Sequence, residues 1–117
     1  MLHSDLFCRQ RKQVLVERIH VKSTTDIDVL ISQIVFNTFT STEEYSSSSS
    51  SSHRLISHLL NQGFYFQLSF LPTTYNKWAC MLLYDNSRAY VAQSDAPMIA
   101  VSIAALKAYG VEIVVDF

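Results

Sequence analysis

The side chains that could do chemistry are few in this chain and do not combine into a known catalytic pattern. His53 and His58 are five residues apart, which places them roughly 140° apart around a helix and not on the one face that a metal pair needs. The chain contains no H-E-x-x-H and no G-x-S-x-G motif. Its two glycines are too few for a phosphate-binding loop. We therefore expect no enzyme activity, no metal site and no cofactor.

The carboxylates and the cysteines also lack a chemical context. Asp26 and Asp28 fall in the first turn of a predicted helix, and the glutamates at 43–44 fall in a predicted loop, so we expect solvated charges. Cys8 and Cys80 are the only cysteines, and they show no C-x-x-C spacing. A reduced, cytosolic protein with structural cysteines is the plainer interpretation, and a meeting of the two thiols stays open.

Composition excludes several broad classes of protein. The chain has 117 residues, of which 49% are hydrophobic, and 9 Lys and Arg against 10 Asp and Glu leave a net charge of −1. This length suits a single domain, and the balanced charge argues against direct nucleic-acid binding. The longest apolar stretch, 99–106, is interrupted by Ser102 and falls far short of the ~20 residues of a membrane helix. We expect no membrane association, and the N-terminus lacks the basic and apolar regions of a signal peptide.

The first 22 residues form the basic part of the chain. The basic residues there, which outnumber the acidic ones, are Arg9, Arg11, Lys12, Arg18 and Lys22. Three valines favour a strand over about 13–21. Leu15 and Ile19, at i and i+4, would equally suit a helix.

A first helix is predicted over residues 24–37. Ser23-x-x-Asp26 resembles a capping box, and the apolar residues that follow recur at three- and four-residue spacing, as on one face of a helix.

The run Ser46–Ser52 consists of seven serines and is typical of a flexible linker. A loop over 38–52 would, however, be unusually long for a small domain. We therefore predict that at least half of the run is helical, starting near Ser47 or Ser48 and ending at Gly63. Ser50→Pro should then cost ~3 kcal/mol, as it does in a helix interior.

The second half of the sequence predicts an antiparallel meander, a helix and a last strand. Alternating apolar residues indicate strands over 64–71, 78–84 and 89–93. A helix over 96–109, capped by Ser94 or Asp95, has almost no polar face, so it must be covered on more than one side or lie at an interface. The segment 111–115 predicts a strand. We expect it and the N-terminal strand to join the meander or to pair with each other, because either alone would leave an exposed edge.

Several local patterns occur in a recognisable order. They are a helix at Thr25–Phe36, Tyr45-Ser46-Ser47-Ser48 with the apolar Leu55, Ile56 and Leu59 after it, Gly63-Phe64, Trp78-Ala79-Cys80, and Ala96-Pro97-Met98-Ile99-Ala100-Val101-Ser102-Ile103-Ala104-Ala105-Leu106. Over residues 23–109, about three quarters of the chain, this order resembles the phage ABA sandwich domain family, small phage and prophage proteins of unassigned activity. Ser48 departs from the family's Asp, which implies a weaker helix cap, and Ile103 stands where the family has a polar or basic residue.

The resemblance implies an α+β fold. We expect an antiparallel meander of three or more strands, packed with about three helices as an α-β-α sandwich. The domain would cover 23–117, and residues 1–22 would be a basic N-terminal extension that adds a strand. The family has no known catalytic residues, so none is carried over.

These observations lead to a hypothesis about function. A phage-derived accessory protein would inhibit a host defence system, as an anti-CRISPR does, by binding a host protein in the bacterial cytoplasm. One alternative is a sponge that sequesters a small nucleotide signal, to which Arg54, Arg88 and Tyr90 could contribute. Another is a structural phage protein with no inhibitory role, and an enzyme ranks last.

The predicted partner-binding residues lie in three places. They are Tyr75, Lys77 and Trp78 near a hairpin tip, Ile103 in the last helix, and Arg11 and Lys12 in the N-terminal extension. Core packing is the more ordinary role for a tryptophan, although Tyr and Trp are frequent interface anchors. Because its helix has almost no polar face, Ile103 is expected to contact the target or a second copy, which would make a homodimer.

Overall fold

In the part of the chain that it describes, residues 17–38, 43–72, 77–85 and 87–116, the computed structural model has three α-helices, one π-helical turn and five strands. The elements, in chain order, are β1 (Glu17–Val21), α1 (Thr24–Leu30), the π-helical turn (Ile31–Val35), α2 (Ser49–Asn61), β2 (Phe64–Leu71), β3 (Lys77–Tyr84), β4 (Arg88–Ser94), α3 (Pro97–Ala108) and β5 (Val111–Val115). This arrangement confirms the α+β class and the three-stranded meander.

Strands β2, β3 and β4 form an antiparallel sheet with β3 in the centre. The register pairs Phe64 with Tyr84 and Trp78 with Ser94. Because side chains alternate along a strand, one face of the sheet carries the residues that belong to or pack against the core. They are Phe64, Phe66, Leu68, Trp78, Cys80, Leu82, Tyr84, Tyr90 and Ala92. Helices α2 and α3 both pack on this face, so within the described residues the helices that contact the meander lie on one side of it. The expected sandwich would place helices on both sides.

Helix α3 lies at the centre of the described structure. It contacts β3 and β4 of the meander, β5, both other α-helices and the π-helical turn. Four of its alanines are fully buried, and such small side chains let several elements approach one helix closely. The prediction that this helix is covered on more than one side is confirmed, and most of the cover comes from the chain itself. Ile103 is half-buried and packs against the core.

The terminal strands β1 and β5 form a separate, parallel two-stranded sheet. This confirms that they pair with each other. Val21 and Val111 are buried, so apolar packing against the core holds the pair. Two exposed contacts flank it, an ion pair of Arg18 with Glu112 at 3.8 Å and a contact of His20 Nδ1 with Asp116 Oδ2 at 3.0 Å, and contacts of this kind contribute little. The predicted strand positions 13–16 lie outside the described residues.

The serine run enters helix α2, as predicted, and is not a linker. Ser48 is the N-cap, and its hydroxyl accepts from the Ser51 N–H at 3.4 Å. This contact is long for a hydrogen bond. Burial of Leu55 and Leu59 offsets the low helix propensity of serine. Ser50 lies in the first turn, whose N–H groups have no intrahelical acceptor, so the cost of ~3 kcal/mol expected for Ser50→Pro is too high.

The predicted helix over 24–37 is divided into α1 and the π-helical turn. The Ser23 hydroxyl caps α1 by accepting from the Asp26 N–H at 3.3 Å, and the Asp26 carboxylate accepts from the Lys22 N–H at 2.8 Å. In the π-helical turn the Phe36 N–H donates to the Ile31 carbonyl five residues earlier at 3.2 Å.

The expectation that Asp28 is a solvated charge is wrong. Asp28 is 4% exposed, and its Oδ1 accepts from the Ser46 N–H at 2.9 Å and from the Ser46 hydroxyl at 2.7 Å. The segment before α2 folds back onto α1, and this contact joins them. Burial raises the pKa of Asp28, since the desolvated carboxylate is disfavoured.

Candidate functional site

The histidines of the described structure form no metal centre. No three His, Cys, Asp or Glu side chains in residues 17–38, 43–72, 77–85 and 87–116 come close enough to hold an ion. His58 packs on the ring of Phe36 with centroids 4.5 Å apart, and Phe36 stacks in turn on Tyr45 at 5.2 Å. Burial lowers the pKa of His58, which favours the neutral ring. His58 is thus part of the packing between α2 and the π-helical turn.

Cys80 has no features of a nucleophile. It is fully buried in the centre of β3, and burial raises the pKa of its thiol to about 12. The thiolate, which is the reactive form, is therefore scarce at neutral pH. Cys8 lies outside the described residues, and any contact between its thiol and that of Cys80 therefore also falls outside the described part of the chain.

Two of the three residues considered for a nucleotide pocket make contacts elsewhere. Arg54 on α2 donates to Glu43 at 2.6 Å, and Tyr90 packs against the core from β4. Arg88 begins β4. An anion site would need these cations and the ring to converge, and the contacts of Arg54 and Tyr90 hold them in different surroundings.

A groove of about 370 Å³ lies where the meander meets α3 and β5. Its lining residues are Lys77, Gln93, Ser94, Asp95, Ala96, Ile99, Ile103 and Val115. The groove brings the start of β3 and the end of β4 together with one side of α3 and the end of β5, elements that are far apart in sequence.

The groove combines an apolar wall with a charged rim. Ile99, Ile103 and Val115 are only partly covered, and Val115 is 40% exposed. At the rim, Lys77 Nζ lies 3.4 Å from Asp95 Oδ1, and the Asp95 side chain is 86% exposed. Such an exposed pair contributes little to stability. It can instead orient a ligand whose apolar group fills the groove and whose charge meets the rim.

Two of the predicted partner-binding residues meet in this groove. Lys77 and Ile103, separated by 26 positions, both line it. Trp78 is next to Lys77 but belongs to the core-facing side of β3, where its ring lies 5.1 Å from that of Phe70. The position of Trp78 agrees with the more ordinary interpretation, in which its side chain packs against the core. Tyr75, Arg11 and Lys12 lie outside the described residues.

Asp95, Ile99 and Val115 also line the groove, and the sequence alone did not point to them as site residues. Asp95 was a candidate cap for the last helix, but Ala96 is the N-cap of α3 and makes no side-chain cap bond. Ser94 accepts instead from the Ala96 N–H at 3.3 Å. The available signal for a site in the sequence was Asp95, an acidic residue beside a helix that begins with proline and has almost no polar face.

Comparison with known proteins gives a fold and no family. No family model matches the chain, and no curated protein matches it. A phage protein from Bacillus cereus ATCC 14579 has a similar crystal structure, with a TM-score of 0.68 and 12% sequence identity over 79% of this chain and 92% of that one. The two proteins share a fold, and membership of the phage ABA sandwich family stays a resemblance. None of the helices in the described residues is long and apolar enough to cross a membrane.

Proposed function

We propose that this chain is a phage-type accessory protein that binds a host protein and thereby inhibits a host defence system, as an anti-CRISPR does. The observation that carries the proposal is the groove, because it joins Lys77 and Ile103 in a half-open apolar cleft with an exposed ion pair at its rim. The shared fold with a phage protein supports the phage context. Binding and not catalysis is proposed because Cys80 and His58 are held in packing roles.

The groove favours a particular kind of partner segment. A branched or aromatic side chain could occupy the space beside Ile99 and Ile103, since apolar anchors in pockets contribute most of the energy of many interfaces. A neighbouring basic group on the partner would meet Asp95, whose side chain is more exposed than that of Lys77. We therefore expect a segment with an apolar anchor flanked by Lys or Arg.

Phage infection of a defended host tests this proposal. Bacteria carrying a CRISPR system would express the chain, and the efficiency of plating of a targeted phage would be measured. The parent should raise it, and Asp95→Lys should reduce that gain by about tenfold, because the reversed rim charge repels a basic segment. Glu44→Lys, an equal charge change at an exposed position outside the groove, should act like the parent.

Three results would overturn the proposal. They are no effect of the parent on plating, equal losses from Asp95→Lys and Glu44→Lys, and turnover of a nucleotide or peptide by the purified protein. Ile103→Asp is a poorer probe, because Ile103 packs against the core and a buried charge would destabilise the fold.

A further inference from the structure

The face of the meander that points away from the helices, here called the outer face, is mostly apolar. The register places eleven side chains there, Leu71 and Lys77 at one end and the other nine in three rows that cross β2, β3 and β4. The rows are Tyr65–Leu83–Ala89, Gln67–Met81–Val91 and Ser69–Ala79–Gln93. Six of the nine are apolar and none is charged. Tyr65 is 63% exposed and Val91 is 42% exposed.

An outer face of this kind is unusual for a sheet that faces water. Antiparallel sheets with one solvated face alternate apolar and polar residues, whereas strands buried on both faces read as continuous apolar runs. The central strand β3 is such a run from Trp78 to Tyr84. On the edge of β4, the Val91 carbonyl is already engaged, because Lys107 Nζ donates to it at 2.8 Å. The composition of β3 thus indicates that a second packing surface covers the outer face.

We propose that the outer face binds the outer face of a second copy of this chain. The two sheets would stack about 10 Å apart with interdigitating side chains, as in a β-sandwich. A two-fold interface brings a patch against itself, so a charged patch would repel its copy. The nine uncharged positions carry no such penalty.

The sizes of the side chains in the rows are complementary under one two-fold axis. If the axis runs across the strands through the middle row, the first row of one copy lies over the third row of the other. Tyr65 then faces Ser69 of the second copy, and Leu83 faces its Ala79. Large residues meet small ones, which is the pattern that fills a core without voids or overlap.

The same axis places compatible groups elsewhere. The middle row meets itself, so that Met81 packs on Met81 of the second copy and Gln67, which can donate and accept, faces the same amide. One row beyond the nine positions, Leu71 pairs with Lys77, so the charge of Lys77 lies at the end of the outer face, away from the axis.

The size of the outer face sets the expected strength. Three short strands form a patch at the small end of the standard ~800 Å² per partner, so the dimer should be reversible and concentration-dependent. Gln93 alone among the nine positions also lines the groove. The dimer does not rest on the proposed function, and Asp95→Lys should leave it intact.

Sedimentation equilibrium of the full chain tests the proposal directly. The parent should show a monomer–dimer equilibrium, and Met81→Glu should shift the dissociation constant upward by at least about a hundredfold, because two like charges would meet on the axis. Ser57→Glu, on the exposed side of α2, should dimerise like the parent. A monomeric parent at about 100 µM, or equal effects of the two substitutions, would overturn the proposal.

A residue swap tests the axis even if Met81→Glu unfolds the chain. Ala79→Leu would set leucine over leucine, and Leu83→Ala would set alanine over alanine, so each alone should weaken the dimer by about tenfold. The double variant restores a large residue over a small one and should recover most of the parent affinity. Additive losses in the double variant would refute this arrangement of the rows.

Discussion

The two faces of the meander are both rich in apolar side chains but differ in what covers them. On the core-facing side, Cys80 and Leu82 are fully buried under the helices. On the outer face, Tyr65 and Val91 stay largely exposed. Neighbours in sequence such as Leu82 and Leu83 therefore belong to different environments. An apolar strand therefore predicts that both of its faces are covered. The position of the helices decides which of the two faces the chain covers with its own residues.

The largest effect should come from the core-facing side. Leu82→Ala should lower the free energy of unfolding by about 3 kcal/mol, because it removes a fully buried side chain and leaves a cavity under α3. Urea denaturation followed by circular dichroism measures this. The matched Leu83→Ala should cost less than ~1 kcal/mol in the monomer. Equal losses would mean that the two faces are equally buried.

A proline scan of α2, which covers the core-facing side, should give the next effect. Ser57→Pro should cost ~3 kcal/mol, because its N–H bonds to the preceding turn and the ring would clash there. Ser50→Pro should cost less than ~1 kcal/mol, because proline is tolerated in the first turn. Thermal melts of both variants give the comparison. A large loss at Ser50 would show that the helix begins earlier than Ser49.

The contact between Asp28 and Ser46 should matter somewhat less. Asp28→Ala leaves the buried Ser46 N–H without its acceptor and should cost about 2 kcal/mol in unfolding free energy. Asp28→Asn should be close to neutral, because both bonds end on one oxygen, Oδ1, which an amide can supply. If Asn proves as damaging as Ala, the contact depends on the negative charge.

The smallest effect concerns pH. Burial, helped by the nearby charge of Glu44, raises the pKa of Asp28 above its ordinary 3.8. The protonated form is therefore favoured in the folded state, so the site's contribution to stability is full below pH 3.8 and declines as the pH rises through the raised pKa. The stability of Asp28→Asn relative to the parent should thus increase with pH. Urea midpoints of both proteins across pH 3 to 7 test this, and an opposite trend would contradict the raised pKa.

The local signals in the sequence predicted most of the elements. Strands β2 and β5 have the predicted bounds, because Gly63, Pro72 and Gly110 mark where chain direction changes. Both glycines adopt positive φ, 99° and 89°, the left-handed conformation in which glycine stops a helix. Pairing of the terminal strands was one of two options, and only tertiary packing decided between them.

Features that depend on distant contacts were not predictable. Asp28 is buried because Ser46, 18 residues later, folds onto it, and no local pattern carries that information. The π-helical turn leaves the apolar spacing of a helix almost unchanged. The sequence predicts Lys77 and Ile103 each as binding residues, but only the packing of α3 against the meander brings them together beside Asp95 and Val115.

The concentration dependence of unfolding tests the account of the two faces most directly. Urea midpoints would be measured for the parent and for Leu83→Ala between about 1 and 100 µM protein, since dimerisation stabilises only the folded chain. The account predicts that the parent's midpoint rises with concentration, that the variant's rises far less, and that the two nearly coincide at the lowest concentration. A parent midpoint that does not change, or a Leu83→Ala loss at 1 µM as large as that of Leu82→Ala, would contradict it.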